Sequence, residues 1–137
     1  MTSERWNADK VFRLTSEMKE ELICDILLDQ NIFAGVGNII KNEALYRAKT
    51  HPLSMVGKIP EEKLKEIISK TREYSLQFYE AKKKGQKINT INKVYKKKKC
   101  KLTKEKVIMK RTGKRNRISY FCPSYQYLYY KNNKNET

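Results

Sequence analysis

The spacing of apolar residues changes along the chain, from a helical period in the first part to short alternating runs after residue 94. An apolar side chain recurs every four residues over 16–29, which predicts a helix there. The recurring residues are Met18, Leu22 and Ile26. Thr15 or Ser16 is the expected N-cap, because a side-chain oxygen at that position accepts a free backbone N–H of the first turn.

Two further helices are predicted before residue 86. One spans 39–49 and ends ahead of His51-Pro52, since the residue before a proline avoids the helical region. The other begins at Pro60 and ends at Gly85. Its apolar stripe consists of Leu64, Ile67, Ile68, Thr71, Tyr74 and Phe78.

The remaining segments are predicted to be a loop, a linker and a small sheet. Residues 30–38 contain two glycines and form the loop between the first two helices, and the polar stretch 86–93 is a linker. Three short runs are expected strands, at 94–96, 106–110 and 118–122, with a turn at 112–114. The expected fold class is mainly α with a small β-hairpin.

Positive charge is concentrated at one end of the 137-residue chain, whose formal net charge is +16. Residues 1–80 carry 12 Lys/Arg and 13 Asp/Glu, whereas residues 81–137 carry 19 and 2. Such a segment attracts a polyanion. A solvated tail is the alternative, but the basic residues alternate with apolar ones that can pair as strands.

Several classes of protein are excluded by composition. No apolar run is long enough for a transmembrane helix, so no membrane partner is expected, and the polar N-terminus is unlike a secretory signal. Three widely spaced cysteines make a poor disulfide framework and favour an intracellular setting. One histidine excludes mechanisms that need two imidazoles.

The sequence Gly35-Val36-Gly37-Asn38 is a candidate anion site. Glycines allow a ligand to approach the backbone closely, the following helix offers free N–H groups, and Asn38 adds a side-chain donor. A simple tight turn explains the same four residues, so the motif alone leaves both interpretations open.

Its context carries a resemblance to a known family. Residues 27–39 (LLDQNIFAGVGNI), then EALYRA at 43–48, then His51-Pro52 closely resemble the helix–two-turn–helix core of the formamidopyrimidine-DNA glycosylase and endonuclease VIII family of base-excision repair enzymes. The end of the chain agrees with this. The family closes a two-stranded finger with Arg, four residues and Cys-Pro-x-Cys-Gln, and this chain has RISYFCPSYQ at 117–126.

The resemblance implies that the finger has lost its zinc site. The family opens the finger with Cys-x-x-Cys, where this chain has CKLT. The four ligand positions are therefore Cys100, Thr103, Cys122 and Tyr125. Two thiols are too few for a closed structural zinc site, so neither zinc nor another cofactor is expected.

The resemblance also implies a phosphate clamp on DNA. Asn38 matches the loop asparagine of the family and Arg117 matches the finger arginine, with Gly35 and Gly37 shaping the backbone beside them. Arg115 takes the role of Arg117 if the register slips by two residues. The alternative for Arg117 is one more solvated charge.

No catalytic residue is assigned. In the family, catalysis belongs to an N-terminal β-rich domain that begins with proline and glutamate, where this chain has Thr2 and Ser3. The resemblance covers roughly 14–126 as the C-terminal half. The expected divisions are an extension (1–13), the helix–two-turn–helix domain (14–85), the linker (86–93), a zincless-finger hairpin (94–126) and a tail (127–137).

Three functions follow, in decreasing order of support. The first is binding of damaged or abasic duplex DNA without efficient catalysis by the isolated chain. The second is a glycosylase/AP lyase completed by a separate N-terminal polypeptide. The third is a structured-RNA or ribosome-associated binder. The expected location is wherever DNA is, in a nucleus, a nucleoid or a viral replication site, and the oligomeric state stays open.

Overall fold

The computed structural model describes residues 6–130, and their regular elements are mainly helices, with one two-stranded antiparallel sheet. In chain order the elements are α1 (Ala8–Ser16), α2 (Ile23–Ile26), α3 (Asn38–Arg47), a 3-10 turn (Val56–Lys58), α4 (Glu61–Lys83), a second 3-10 turn (Ile88–Thr90), β1 (Ile108–Thr112) and β2 (Arg117–Phe121). The expected class, mainly α with a small hairpin, is confirmed.

The predicted helix over 16–29 is wrong. Helix α1 lies earlier, with Asn7 accepting the Lys10 N–H at 3.0 Å as its N-cap, and Ser16 is its last residue. The chain after it bonds to residues 52–57 instead of coiling: the Ile23 N–H donates to the Ser54 carbonyl (2.8 Å) and the Gly57 N–H to the Lys19 carbonyl (2.8 Å). These long-range backbone bonds confine α2 to four residues.

Helices α3 and α4 confirm the other two helix predictions. Helix α3 follows Gly37 directly, and α4 follows Pro60. The chain leaves α4 through Gly85, whose φ of +75° suits glycine. All six residues of the predicted stripe on α4 are buried, and all of them except Thr71 form one hydrophobic core with residues of α1, α2 and α3.

The stretch 94–96, predicted to be a strand, is not one. The Glu43 carboxylate on α3 accepts the N–H groups of Lys93, Val94 and Tyr95, each at 2.8 Å, and so holds this segment in a turn. Arg47 donates to the Ile91 carbonyl at 2.8 Å. Two residues at the C-terminal end of α3 therefore fix the whole stretch 91–95 against the helices.

The predicted hairpin is present with its strands displaced by one or two residues. Ile108 pairs with Phe121 and Thr112 with Arg117, and the turn between them contains Gly113. Asp25 on α2 is buried and accepts the N–H groups of Lys114 and Arg115, both at 3.1 Å. A helix side chain therefore holds the turn.

Gly113→Ala is expected to lower the free energy of unfolding by about 2–3 kcal/mol. Gly113 has a φ of +74°, and an added Cβ would lie less than 3.0 Å from both oxygens of the Asp25 carboxylate. Gly85→Ala is the matched control, because φ is +75° but no atom lies within 4 Å of the added Cβ. Urea denaturation of both variants measures the difference, and equal losses would contradict the role of Asp25.

Candidate nucleic-acid interface

The loop before α3 is closed by the side chain of Gln30. Its Oε1 accepts the Gly35 N–H at 2.9 Å and its Nε2 donates to the Val36 carbonyl at 2.9 Å. The hydroxyl of Tyr79 on α4 donates to the Gly35 carbonyl. Gly35 has a φ of +86°, so the loop itself requires a glycine there, and its N–H is already bonded.

Gly37 leaves the N-terminus of α3 open. A Cβ at this position would meet no atom within 4 Å, and its φ of −105° is ordinary extended backbone. The first N–H groups of a helix have no partner within the helix. The backbone at Gly37 and Asn38 therefore has both room for a ligand and N–H groups that can donate to it.

Asn38, the first residue of α3, reaches the hairpin. Its Nδ2 donates to the carbonyl of Ile118 at 2.8 Å, and Ile118 directly follows Arg117 on β2. An amide nitrogen carries two hydrogens, so one stays available to a ligand. The Oδ1 of Asn38 is buried and has no hydrogen-bond partner among residues 6–130.

Two further residues of α3 hold β2. Asn42 donates to the Ile118 carbonyl (3.2 Å) and accepts the Tyr120 N–H (2.7 Å). Lys41 donates from Nζ to the Ser119 hydroxyl (2.9 Å) and to the Ile118 carbonyl (3.4 Å). Sequence reasoning missed both residues, although polar side chains at i, i+3 and i+4 along a buried helix were the available signal.

Lys41 has no exposed surface (0%) and no carboxylate within ion-pair distance in the described part of the chain. Burial lowers the pKa of Lys41 from its usual 10.5 to about 8. Cys24 and Asp25 oppose this shift, and the positive charge of Arg117 adds to it. Arg117 therefore lies close enough to Lys41 for the two cations to repel.

The candidate arginines differ in their surroundings. Arg117 is exposed and has no ion-pair partner among residues 6–130. Arg115 lies in the turn, with its N–H bonded to Asp25 and its side chain exposed. The structure thus brings Asn38 into contact with Ile118, the residue that directly follows Arg117 on β2.

The four positions that match the family's zinc ligands surround a cluster of hydroxyls and thiols. The Tyr46 hydroxyl lies 2.8 Å from Cys100 Sγ, and Thr103 Oγ1 lies 3.5 Å from Cys122 Sγ. The Tyr125 ring packs on that of Tyr46 with centroids 4.8 Å apart. Burial raises the pKa of Cys100, but hydrogen bonds from Tyr46, Thr103 and the backbone lower it to about 7.

A lysine-lined groove of about 590 Å³ lies on the side of the hairpin that carries Met109 and Tyr120. The other residues lining it are Lys96, Lys97, Lys98, Lys99, Lys106 and Val107. Residues alternate between the two faces of a strand, so this face is opposite the one that carries Arg117 and Ser119.

The remaining residues of interest have structural contacts. His51 Nδ1 accepts the Leu53 N–H at 3.1 Å, and burial together with Lys110 lowers its pKa. Burial raises the pKa of Cys24.

Tyr127 pairs with residues 49–51 through backbone hydrogen bonds, so the start of the predicted tail is part of the fold. No helix among residues 6–130 is long and apolar enough to cross a membrane.

Lys41→Met is expected to stabilise the protein at pH 7 by up to about 3 kcal/mol. The unfolded chain binds a proton at this site up to about pH 10.5 and the folded chain only to about pH 8. Folding stability of the parent therefore rises with pH across that window. The advantage of the variant should shrink from pH 8 to pH 10 in urea denaturation, and a constant difference would contradict a buried charge.

Comparison with known proteins identifies the family. A family model described as the formamidopyrimidine-DNA glycosylase H2TH domain matches residues 2–90. Endonuclease 8-like 3 of Xenopus laevis is 41% identical over 117 residues, which are 83% of this chain and 19% of that protein. The chain therefore spans about a fifth of the length of this relative.

Solved structures agree. The crystal structure of a viral DNA glycosylase is 31% identical with a TM-score of 0.79, covering 91% of this chain and 48% of the other. Formamidopyrimidine-DNA glycosylase of Lactococcus lactis, bound non-covalently to DNA with an AP site, is 25% identical with a TM-score of 0.77, covering 92% and 48%. On the matched domain and these likenesses, the chain belongs to the formamidopyrimidine-DNA glycosylase and endonuclease VIII family.

Proposed function

We propose that this chain is the DNA-binding part of a base-excision repair protein and that it holds damaged or abasic duplex DNA by its phosphates. Asn38 and the open backbone at Gly37 form one side of the clamp, and Arg117 forms the other. Gly35 shapes the loop, and Arg115 adds charge at the hairpin turn. The protein would then act wherever DNA is present.

The observation that carries the proposal is the contact between Asn38 Nδ2 and the Ile118 carbonyl at 2.8 Å. The contact joins the first residue of α3 to the residue that follows the exposed Arg117 in the chain. A guanidinium binds phosphate through its planar fork and a helix N-terminus through free N–H groups, which supports a clamp made of the two. Pushing a nucleotide out of a duplex costs a few kcal/mol, which contacts to the neighbouring phosphates help to offset.

One comparison and the charge of the chain support the choice of ligand. The Lactococcus lactis structure contains DNA with an AP site, and its likeness to this chain covers 92% of it. The charge of the last 57 residues is of the sign that DNA attracts. The charge supports DNA as the ligand, and from the Lactococcus structure we extend to this chain a preference for abasic over intact duplex.

We further propose that the isolated chain binds DNA without efficient catalysis, since the family model that matches it is that of the H2TH domain alone and the chain spans about a fifth of the Xenopus relative. The alternative is glycosylase/AP lyase activity once the family's N-terminal domain is present. In the Xenopus relative the matched region is part of one longer chain, so nothing in the comparisons supports a separate catalytic polypeptide.

We also propose that the finger needs no zinc. Thr103 and Tyr125 are poor zinc ligands, Tyr125 packs on Tyr46, and the Tyr46 hydroxyl already bonds to Cys100. Among residues 6–130, no three His, Cys, Asp or Glu side chains are grouped to hold a metal. The donors present do not fit the ion, and packing with hydroxyl–thiol contacts replaces it.

Arg117→Gln is expected to weaken binding to a duplex with a tetrahydrofuran abasic site about tenfold and to lower the slope of log K against log salt by about 0.9, the loss of one phosphate contact. Fluorescence anisotropy at several salt concentrations measures both. Arg13→Gln removes the same charge from the exposed surface of α1 and serves as the matched control.

Equal effects of the two substitutions would contradict the clamp. Equal affinity of the parent chain for abasic and intact duplex would leave DNA binding but remove the preference for damage. Displacement of the DNA by structured RNA at much lower concentration would favour the RNA-binding alternative.

Borohydride reduction with abasic DNA is expected to trap no covalent adduct above the level formed by a lysine-rich peptide of the same charge. On this proposal, imine formation by the isolated chain depends only on the general reactivity of amines. Efficient trapping by residues 1–137, mapped to the N-terminus by mass spectrometry, would show that the isolated chain is an enzyme.

A further inference from the structure

The ammonium of Lys41 is unusual among the polar groups between α3 and the hairpin, because no interaction there requires it. The Ser119 hydroxyl also bonds to Thr112 Oγ1 at 2.7 Å. The Ile118 carbonyl also accepts from Asn38 and Asn42. If Lys41 were apolar, both acceptors would keep a partner.

The surroundings of Lys41 do not neutralise it. From α2, the Cys24 thiol faces it, and the Asp25 carboxylate is occupied by two backbone N–H groups of the turn. From β2, the Ser119 hydroxyl and the Arg117 charge face it. From its own helix, Asn38 lies one turn away. A buried cation thus lies beside a second cation, without an ion-pair partner among residues 6–130.

Such an arrangement is unfavourable to folding, since a buried charge is stabilised only when it is paired and hydrogen-bonded. An anion brought to Asn38 and Arg117 would supply the missing negative charge. The interaction would be strong for an inaccessible lysine because the medium between them is protein rather than water.

We propose that Lys41 is a positioning residue for the phosphate clamp: its buried ammonium, unpaired among residues 6–130, attracts the DNA phosphate to Asn38 and Arg117 and is neutralised by it, so that DNA binding is accompanied by proton uptake at Lys41. This inference rests on the proposed function and names a third residue of that site. The phosphate touches Asn38 and Arg117, and Lys41 acts through them.

The proton linkage distinguishes this role from a structural one. At pH 8 the free protein carries about half a proton at Lys41, because burial lowers its pKa to about 8. A phosphate nearby raises that pKa and completes the protonation. A lysine that only packed the hairpin would bind DNA with no proton change.

Isothermal titration of the 137-residue chain with abasic duplex, at pH 8 in buffers of different ionisation enthalpy, measures the protons taken up. We expect about half a proton per complex for the parent and close to none for Lys41→Met. Anisotropy should show Lys41→Met binding roughly tenfold more weakly at pH 7. The affinity of the parent should fall from pH 8 to 9.5 more than that of the variant.

Lys63→Met is the matched control. Lys63 is partly buried and, like Lys41, donates to a backbone carbonyl, that of Ala48 at 3.1 Å, but it lies on α4 and forms an ion pair with Glu66 at 2.7 Å. It should keep the proton uptake and change affinity by no more than about twofold. Lys41→Arg, which keeps a charge that does not titrate, should bind DNA without proton uptake.

Two outcomes would overturn the inference: unchanged affinity of Lys41→Met at pH 7, or proton uptake that persists in this variant. The Arg117→Gln variant separates the two proposals. If Arg117→Gln weakens binding and Lys41→Met does not, only the role of Lys41 fails. If neither weakens binding, the clamp itself is wrong.

Discussion

The carbonyl oxygen of Ile118 joins the hairpin to the helical part of the molecule. Asn38, Lys41 and Asn42 converge on it from three positions of α3, at 2.8, 3.4 and 3.2 Å. In a two-stranded sheet, each strand has an outer edge whose backbone carbonyls have no partner in the sheet and normally face water. Here a helix covers that edge, and the orientation of Arg117 relative to the N-terminus of α3 follows from this contact.

The second half of α3 likewise holds a backbone segment through polar side chains, in this case residues 91–95. The Glu43 carboxylate is fully buried and accepts three consecutive backbone N–H groups, while Arg47 bonds to the Ile91 carbonyl and lies 4.5 Å from the centre of the Tyr74 ring. Helix α3 therefore uses polar side chains where most helices in a core use apolar ones. The polar residues of α3 therefore determine which backbone groups of the hairpin and of residues 91–95 pack against this helix.

The sequence was sufficient to predict those elements that are determined by neighbouring residues in the chain. The stripe and end signals of α4 predicted its limits closely, and the resemblance of residues 27–52 and 117–126 to a known family identified that family correctly. The helix over 16–29 failed because backbone bonds to residues 52–57 prevail over a four-residue periodicity. Lys41, Asn42 and Asp25 were missed because their partners are backbone groups 76 to 90 residues away.

The buried polar face of α3 has a consequence for the cooperativity of the molecule. Detaching the hairpin would break the hydrogen bonds of Asn38 and Asn42 to β2 and those of Asp25 to the turn, each worth about 1 kcal/mol. Opening of the hairpin alone is therefore disfavoured, and the hairpin and the helices are expected to unfold together. A two-stranded ribbon with little core of its own thereby has the stability of the whole domain.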